Sequence, residues 1–236
     1  MFPALNKRFW KEVAIGETAG GFEILLDTRA VRTPAKARLL LPSAALAGAV
    51  AEEWRAQGET VEPDGMPMTR RANAAIDKVT AQFDEVAALL CDYGGSDLLC
   101  YRAESPQELQ NRQAAAWDPL LDWCAHAFGA RLKVTRGVVP VAQDAPALAA
   151  LRARVSGMDA FALTGFHDLV TLSGSLVIAL ATIDGFDEPG ALWQRAQIDE
   201  TWQQELWGAD DEAAAAIEQK RRDYLDGFRF YRLTLS

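Results

Sequence analysis

The sequence predicts an α+β protein. A small strand-bearing N-terminal domain, residues 1–78, precedes a larger, mainly α-helical orthogonal-bundle domain, residues 79–236. Three observations carry this. Alternating apolar residues punctuated by turn residues are confined to the first stretch of the chain, before Ser43. A loop rich in glycine and proline, "GETVEPDGMPMT", is the candidate boundary. From Thr69 onward the apolar spacing is that of helices.

In "GFEILLD", Phe22, Ile24 and Leu26 share one face, the period of a half-buried strand. "DTRA" then supplies a turn, "VRTP" resumes the extended chain, and "ARLLLPS" is a further extended run closed by Pro42. Pro34 cannot donate to a ladder, which puts it at a strand end or an edge. Ser43 offers an N-cap to a helix whose stripe is Leu46, Val50 and Trp54, with Gly58 as its end. Trp54 completes that stripe and is expected to be structural. After the loop, Ala72, Ile76, Val79, Phe83, Val86 and Leu90 form one continuous stripe up to "DYGGSD". "SPQEL" sets the next start, with Ser105 as N-cap and Pro106 at the first helical position. Its stripe runs through Leu109, Gln113, Trp117, Leu121, Cys124 and Phe128, and Pro119 is expected to kink or restart it. An extended piece, "RLKVTRGVVPV", is followed by helices over 145–156, 159–172, 174–184, 188–207 and 210–226.

Lys and Arg total 24 against 33 Asp and Glu, a net charge of −9. Nucleic acid, whose phosphates demand cations, is disfavoured as a partner; a soluble protein, or one whose partner presents a basic surface, fits. The three cysteines, Cys91, Cys100 and Cys124, have no CxxC spacing, and the two histidines have no paired spacing. Neither a disulfide framework nor a metal site is expected, and a reducing compartment is. The uncharged run "LVTLSGSLVIALATI" is shorter than the ~20 residues of a membrane span and reads as one buried helix or two abutting ones. No membrane insertion is expected. The opening "MFPALNKRFWKEV" has neither an apolar signal core nor a long Arg/Ser-rich transit pattern. The expected location is a bacterial cytoplasm, or a mitochondrial matrix for a eukaryotic source.

Motifs for chemistry are sparse. Gly16, Gly20 and Gly21 in "IGETAGGFE" match no phosphate loop and fit a turn between strands, so no cofactor is expected. Arg70 and Arg71 sit where the helix macrodipole disfavours cations and read as a solvated or salt-bridged pair. A hydrolase alternative rests on His167 and Asp168 in "GFHDLV" with a serine such as Ser175, but "SGSL" lacks the glycine frame of a nucleophile elbow.

The segment "IDETWQQELWG" stands apart. On one helix over 188–207, residues seven apart nearly superpose in angle. Trp193, Glu200 and Trp207 then form one stripe, flanked by Gln197 and Gln204. Leu192, Asp199 and Leu206 form the next, with Gln203 between, and Trp202 carries apolar surface to a third side. A helix so apolar is buried with its charges paired, or meets a partner. By composition a core network ranks first, a partner surface second and acid/base catalysis third, since no second acid or nucleophile accompanies the segment.

"KRFWKEV", "ILLDTRAVRTP", "AEEWRAQGETVEPDGMPMTRRANAAID", "YGGSDLLCYRA", "LQNRQAAAWDPLLDW", "GSLVIALA" and "IDETWQQELWG" cover most of the chain. In content and order they resemble one family, the assembly chaperones that bind the alpha subunit of the catalytic head of F-type ATP synthase. The resemblance implies a non-enzymatic chaperone without nucleotide, metal or other cofactor, whose partner is the free alpha subunit before it pairs with beta. It also raises the partner reading of the tryptophan-rich helix above the core reading. Glu200, Asp199, Trp193, Trp202, Gln203 and Trp207 are then the expected partner-binding residues. Glu200 is the expected functional carboxylate, and Asp199 is expected to be satisfied inside the domain. Asp77 and Asp97, which lie in the resembling segments, join Trp54 and Trp117 as expected structural positions.

Overall fold

The glycines of "ETAGGFE" close a hairpin. β1 (Val13–Thr18) and β2 (Gly21–Leu26) pair antiparallel from Val13↔Leu26 to Thr18↔Gly21. Gly21 holds φ +129°, and a Cβ there would lie 2.4 Å from the Leu41 carbonyl oxygen, so glycine is required. β2 is the hub of the sheet. β3 (Arg29–Ala30) pairs with its C-terminal end and β4 (Leu40–Leu41) with its N-terminal end, both antiparallel. Pro34 stands in the turn closed by the Arg32–Arg38 bridge, off the ladder. As the alternation predicts, Ile24 and Leu26 are buried, and Phe22 packs half-buried beside them.

The computed structural model describes residues 7–208 and 210–235. They form two compact units, the first of residues up to Phe83 with Asp159–Gly165 and 229–235, the second of Asp84–Met158 and Phe166–Phe228.

In the first unit α1 (Ala44–Arg55) lays Leu46, Ala47, Val50 and Ala51 on the sheet, all fully buried. Ser43 caps it, accepting from the Leu46 N–H at 3.0 Å and donating to the Leu233 carbonyl. The helix ends at Ala56 rather than at Gly58, and the buried Gln57 side chain donates to the otherwise orphaned Glu53 carbonyl. α2 (Pro67–Ala74) starts on a carboxylate borrowed from α1: Glu53 accepts from Met68 N, Thr69 N and Thr69 Oγ1 at 2.6, 2.8 and 2.7 Å. Burial raises the Glu53 pKa even though these three bonds pull it down.

The single helix expected beyond Thr69 is interrupted. Residues Ala75–Val79 form a wide i→i+5 turn in which Thr80 N and Oγ1 both donate to the Ala75 carbonyl. The extra residue shifts the apolar face. Ala72 is buried before the wide turn, Ala75 and Val79 at its two ends, and Ala87, Leu90 and Cys91 of α3 (Phe83–Asp92) after it, while Ile76, Phe83 and Val86 are only half-buried. Phe161 and Phe230, stacked 6.3 Å apart, complete the first unit's core from two late segments of the chain.

The second unit is helical apart from a short parallel pair, β5 (Tyr101–Arg102) with β6 (Thr135–Arg136). α4 (Gln107–Phe128) buries the predicted stripe of Leu109, Gln113, Trp117, Leu121 and Cys124 and runs through Pro119 unbroken. Its N-cap position is held by the extended Pro106, not by Ser105. Gly129 ends it at φ +67°. α5 (Ala145–Ser156) and the part of α6 (Ala160–Ser173) from Phe166 onward lead to α7 (Leu176–Ile183), whose eight residues are all buried. The long uncharged run is therefore two helices abutting at Gly174 and Ser175. Among the described residues no helix is long and apolar enough to cross a membrane.

The single helix expected over 188–207 is two, α8 (Pro189–Ala196) and α9 (Ile198–Trp207), broken at Gln197 with φ −102° and ψ 17°. No proline or glycine marks the break. A long-range bond lies at the break instead: Trp117 Nε1 donates to the Arg195 carbonyl at 2.7 Å. In a continuous helix that oxygen would accept the Asp199 N–H. α10 (Asp211–Thr234) then passes the expected end at 226 and runs through Gly227.

Candidate functional site

α9 has no buried residue, which sets aside the core-network reading that composition alone ranked first for this segment. It is fastened to α4 by a few polar bonds. Gln113, 1% exposed on the α4 stripe, donates to Asp199 Oδ1 at 2.7 Å while its own Oε1 accepts from Ala103 N at 2.8 Å. Arg112 donates to Glu205 at 2.6 Å and to Glu108 at 3.1 Å, and its guanidinium lies 4.7 Å from the centroid of the Trp202 ring.

The break at Gln197 dissolves the seven-residue stripe drawn through Trp193, Glu200 and Trp207. Trp193 is 2% exposed and packs against Tyr224 with ring centroids 5.3 Å apart. Its expected place on a partner surface is corrected: it is a core residue of α8. Within α9, Glu200, Gln203, Gln204 and Trp207 are spaced i, i+3, i+4, i+7 and share one face. That face lines a 260 Å³ groove closed by Ala213 and Ile217 of α10. Trp207 is 80% exposed, and Glu200 has no hydrogen bond or ion pair among the described residues. Asp199 and Trp202 turn instead toward a 320 Å³ cleft that Tyr101 and Val138 share, and Gln203, at the crest, lines both spaces. Of the six expected residues, three share the exposed face, two brace α9 against α4, and one is interior. An unpaired carboxylate beside an exposed indole can accept a charge-assisted bond from a cation while the ring shields it from water.

The expected structural residues are placed as follows. Asp97 is fully buried and accepts from Leu99 N at 3.0 Å, Ser175 Oγ at 2.7 Å and Val177 N at 3.0 Å. Burial nevertheless raises its pKa to about 6. Asp77 Oδ2 accepts from Ala35 N at 3.1 Å and pins the turn that holds Pro34. Trp54 meets Trp10 edge-on, centroids 5.2 Å apart, and Trp117 is fully buried.

Ser175 is not placed as the nucleophile of the hydrolase alternative. Ser175 is fully buried, its hydrogen is committed to Asp97, and its oxygen caps α7 by accepting from Ile178 N at 3.0 Å. His167 and Asp168 are neighbours on α6, 3.4 Å apart, without that serine. Among the described residues no group of three His, Cys, Asp or Glu side chains could hold a metal ion. Cys91, Cys100 and Cys124 are free and buried, and burial pushes the Cys100 and Cys124 thiols up to about 12. Reading the sequence missed Glu53 and Arg112. Glu53 carries no local signal, because the donors it caps lie fifteen residues on. Arg112 stands at i+4 from Glu108 and showed only that pairing.

Residues 7–125, half of the chain, match the family model of the ATP12 chaperone protein. The chain belongs to the ATP12 chaperone family. This is the ATP synthase assembly family that the sequence segments resemble. The crystal structure of Atp12 from Paracoccus denitrificans is 50% identical and covers 97% of this chain and 98% of its own, with a TM-score of 0.94. An aspartate-to-lysine mutant of the Paracoccus ATP12 chaperone matches with the same TM-score of 0.94. A solved protein from Agrobacterium tumefaciens is 38% identical over 98% of this chain and 87% of that one, again with a TM-score of 0.94. The mitochondrial atp12 protein of Schizosaccharomyces pombe is 24% identical over 219 residues, 88% of this chain and 75% of that protein.

Proposed function

We propose that this ATP12-family chaperone binds the free alpha subunit of the catalytic head of F-type ATP synthase and covers it until beta takes its place. It acts by binding, without a catalytic step or a cofactor. An alpha subunit awaiting its neighbour exposes apolar surface prone to aggregation, and a chaperone for it must offer apolar contact together with a releasable polar anchor. The observation that carries this reading is the exposed face of α9. There Glu200 has no hydrogen bond or ion pair among the described residues and stands on one stripe with Gln203 and the 80% exposed Trp207. Asp199, already bonded to Gln113, serves to seat the helix.

The test compares Glu200→Gln with Asp199→Asn, both of which remove charge and keep shape. Glu200→Gln is expected to melt like the parent and to lose retention of the alpha subunit in co-purification. Asp199→Asn is expected to lower melting more than retention. Parental retention by a well-folded Glu200→Gln would remove Glu200 from the binding surface.

A further inference from the structure

The loop between β6 and α5 carries apolar side chains that the fold does not use. Val138 is 91% exposed and Val139 is 70% exposed. The loop is built rather than slack. At its base Lys133 N donates to Gln143 Oε1 at 2.7 Å, Gln143 Nε2 donates back to the Lys133 carbonyl at 2.9 Å, and Lys133 Nζ pairs with Asp144. Higher up, β6 pairs with β5, and Gly137 N donates to the Arg102 carbonyl at 2.8 Å. Gly137 turns the chain outward at φ +71°, where a Cβ would lie 2.6 Å from Glu104 Oε1. Two valines held in water by a closed loop return nothing to the fold. A preorganised apolar tip lowers the ordering cost of binding, and exposed apolar patches mark interaction sites.

The position of the tip says what it meets. Val138 lines the same cleft as Asp199, Trp202 and Gln203, and Gln203 also lines the groove that Glu200 and Trp207 share. The valine tip and the Glu200 face therefore belong to one surface running over the crest of α9. The side chain of Arg136, exposed at the foot of the tip, has no hydrogen bond or ion pair among the described residues. The surface thus presents a free cation at one end, a free carboxylate at the other and apolar side chains along it.

We infer that Arg136, Val138 and Val139 form a second contact for the alpha subunit, with the valines seated in an apolar recess of that subunit. Arg136 meets an acidic group beside the recess, while Glu200 meets a basic one, and the opposed charges set the orientation of docking. The inference rests on the reading that the alpha subunit is the partner.

The experiment measures retention of the alpha subunit, and suppression of light scattering as the alpha subunit is diluted from denaturant. It uses the full chain, the double variant Val138→Ser/Val139→Ser, Arg136→Glu and Glu200→Gln. The valine variant is expected to melt like the parent and to weaken apparent affinity about tenfold. Arg136→Glu is expected to weaken binding at low salt, with the deficit shrinking as salt rises. Parental affinity in the valine variant beside a loss in Glu200→Gln overturns the loop contact and leaves the α9 reading standing. Parental affinity in both overturns both readings. A loss in the valine variant upholds the loop contact, whatever Glu200→Gln shows. If the parent is instead a dimer that the valine variant turns into a monomer with alpha-subunit binding intact, the occupant is a second copy and the inference falls.

Discussion

Replacing Ser175 by alanine removes one hydroxyl that makes two bonds. Its oxygen caps α7 through Ile178 N at 3.0 Å, and its hydrogen goes to Asp97 Oδ1 at 2.7 Å. Loss of an N-cap costs about 1 kcal/mol. Loss of a donor to a buried, ionised carboxylate costs about 2 kcal/mol more. The total near neutral pH is then about 3 kcal/mol, since Asp97, with a pKa raised to about 6, is ionised there. Burial sets that value, against the downward pull of the bonds from Val177, Ser175 and Leu99. Because the folded-state pKa lies above the ordinary value of 3.8, Asp97 favours the native state most at low pH. That contribution is lost as pH rises through about 6. At about pH 5 Asp97 is protonated in the fold, its bond to Ser175 is between neutral groups, and the penalty of Ser175→Ala should fall to about 2 kcal/mol. Denaturant unfolding followed by tryptophan fluorescence at the two pH values measures both penalties. Equal penalties, or none, would refute the coupling of Ser175 to a titrating Asp97. A variant that kept its stability while losing a hydrolytic activity would restore the serine as a nucleophile.

Two further outcomes follow from named bonds. Gln113→Leu leaves Ala103 N and Asp199 without their partner, so it should cost about 2–3 kcal/mol and speed amide exchange throughout α9; parental exchange in α9 would show that this bond does not seat the helix. Trp54→Phe should cost under about 1 kcal/mol, because the indole N–H has no partner among the described residues and the edge contact with Trp10 survives, whereas Trp54→Arg should leave the first unit unfolded or the chain insoluble. Thermal melting decides both, and normal melting of Trp54→Arg would remove Trp54 from the core.

What the amino-acid order determined by itself is local. The Phe22, Ile24, Leu26 alternation set the face of β2, Ser43 set the start of α1, and the Leu109 to Cys124 stripe set the buried side of α4. The uncharged run set the buried α7. Each is a matter of period or cap, and the interacting groups lie within a few residues of one another. The shared order of segments likewise sufficed to point to an assembly-chaperone family. Only the tertiary structure decided which residues of the tryptophan-rich stretch reach water. Trp117 takes the Arg195 carbonyl from 78 positions away, next to the break at Gln197. The break sends Trp193 inward and leaves Glu200 and Trp207 outside. Gln113 meets Asp199 across 86 positions, and Asp97 meets Ser175 across 78. The wide turn at Ala75–Val79 shifted a stripe that periodicity alone continues. None of these bonds leaves a spacing in the sequence, because a hydrogen bond joins atoms that folding brings within 3 Å, wherever they stand along the chain.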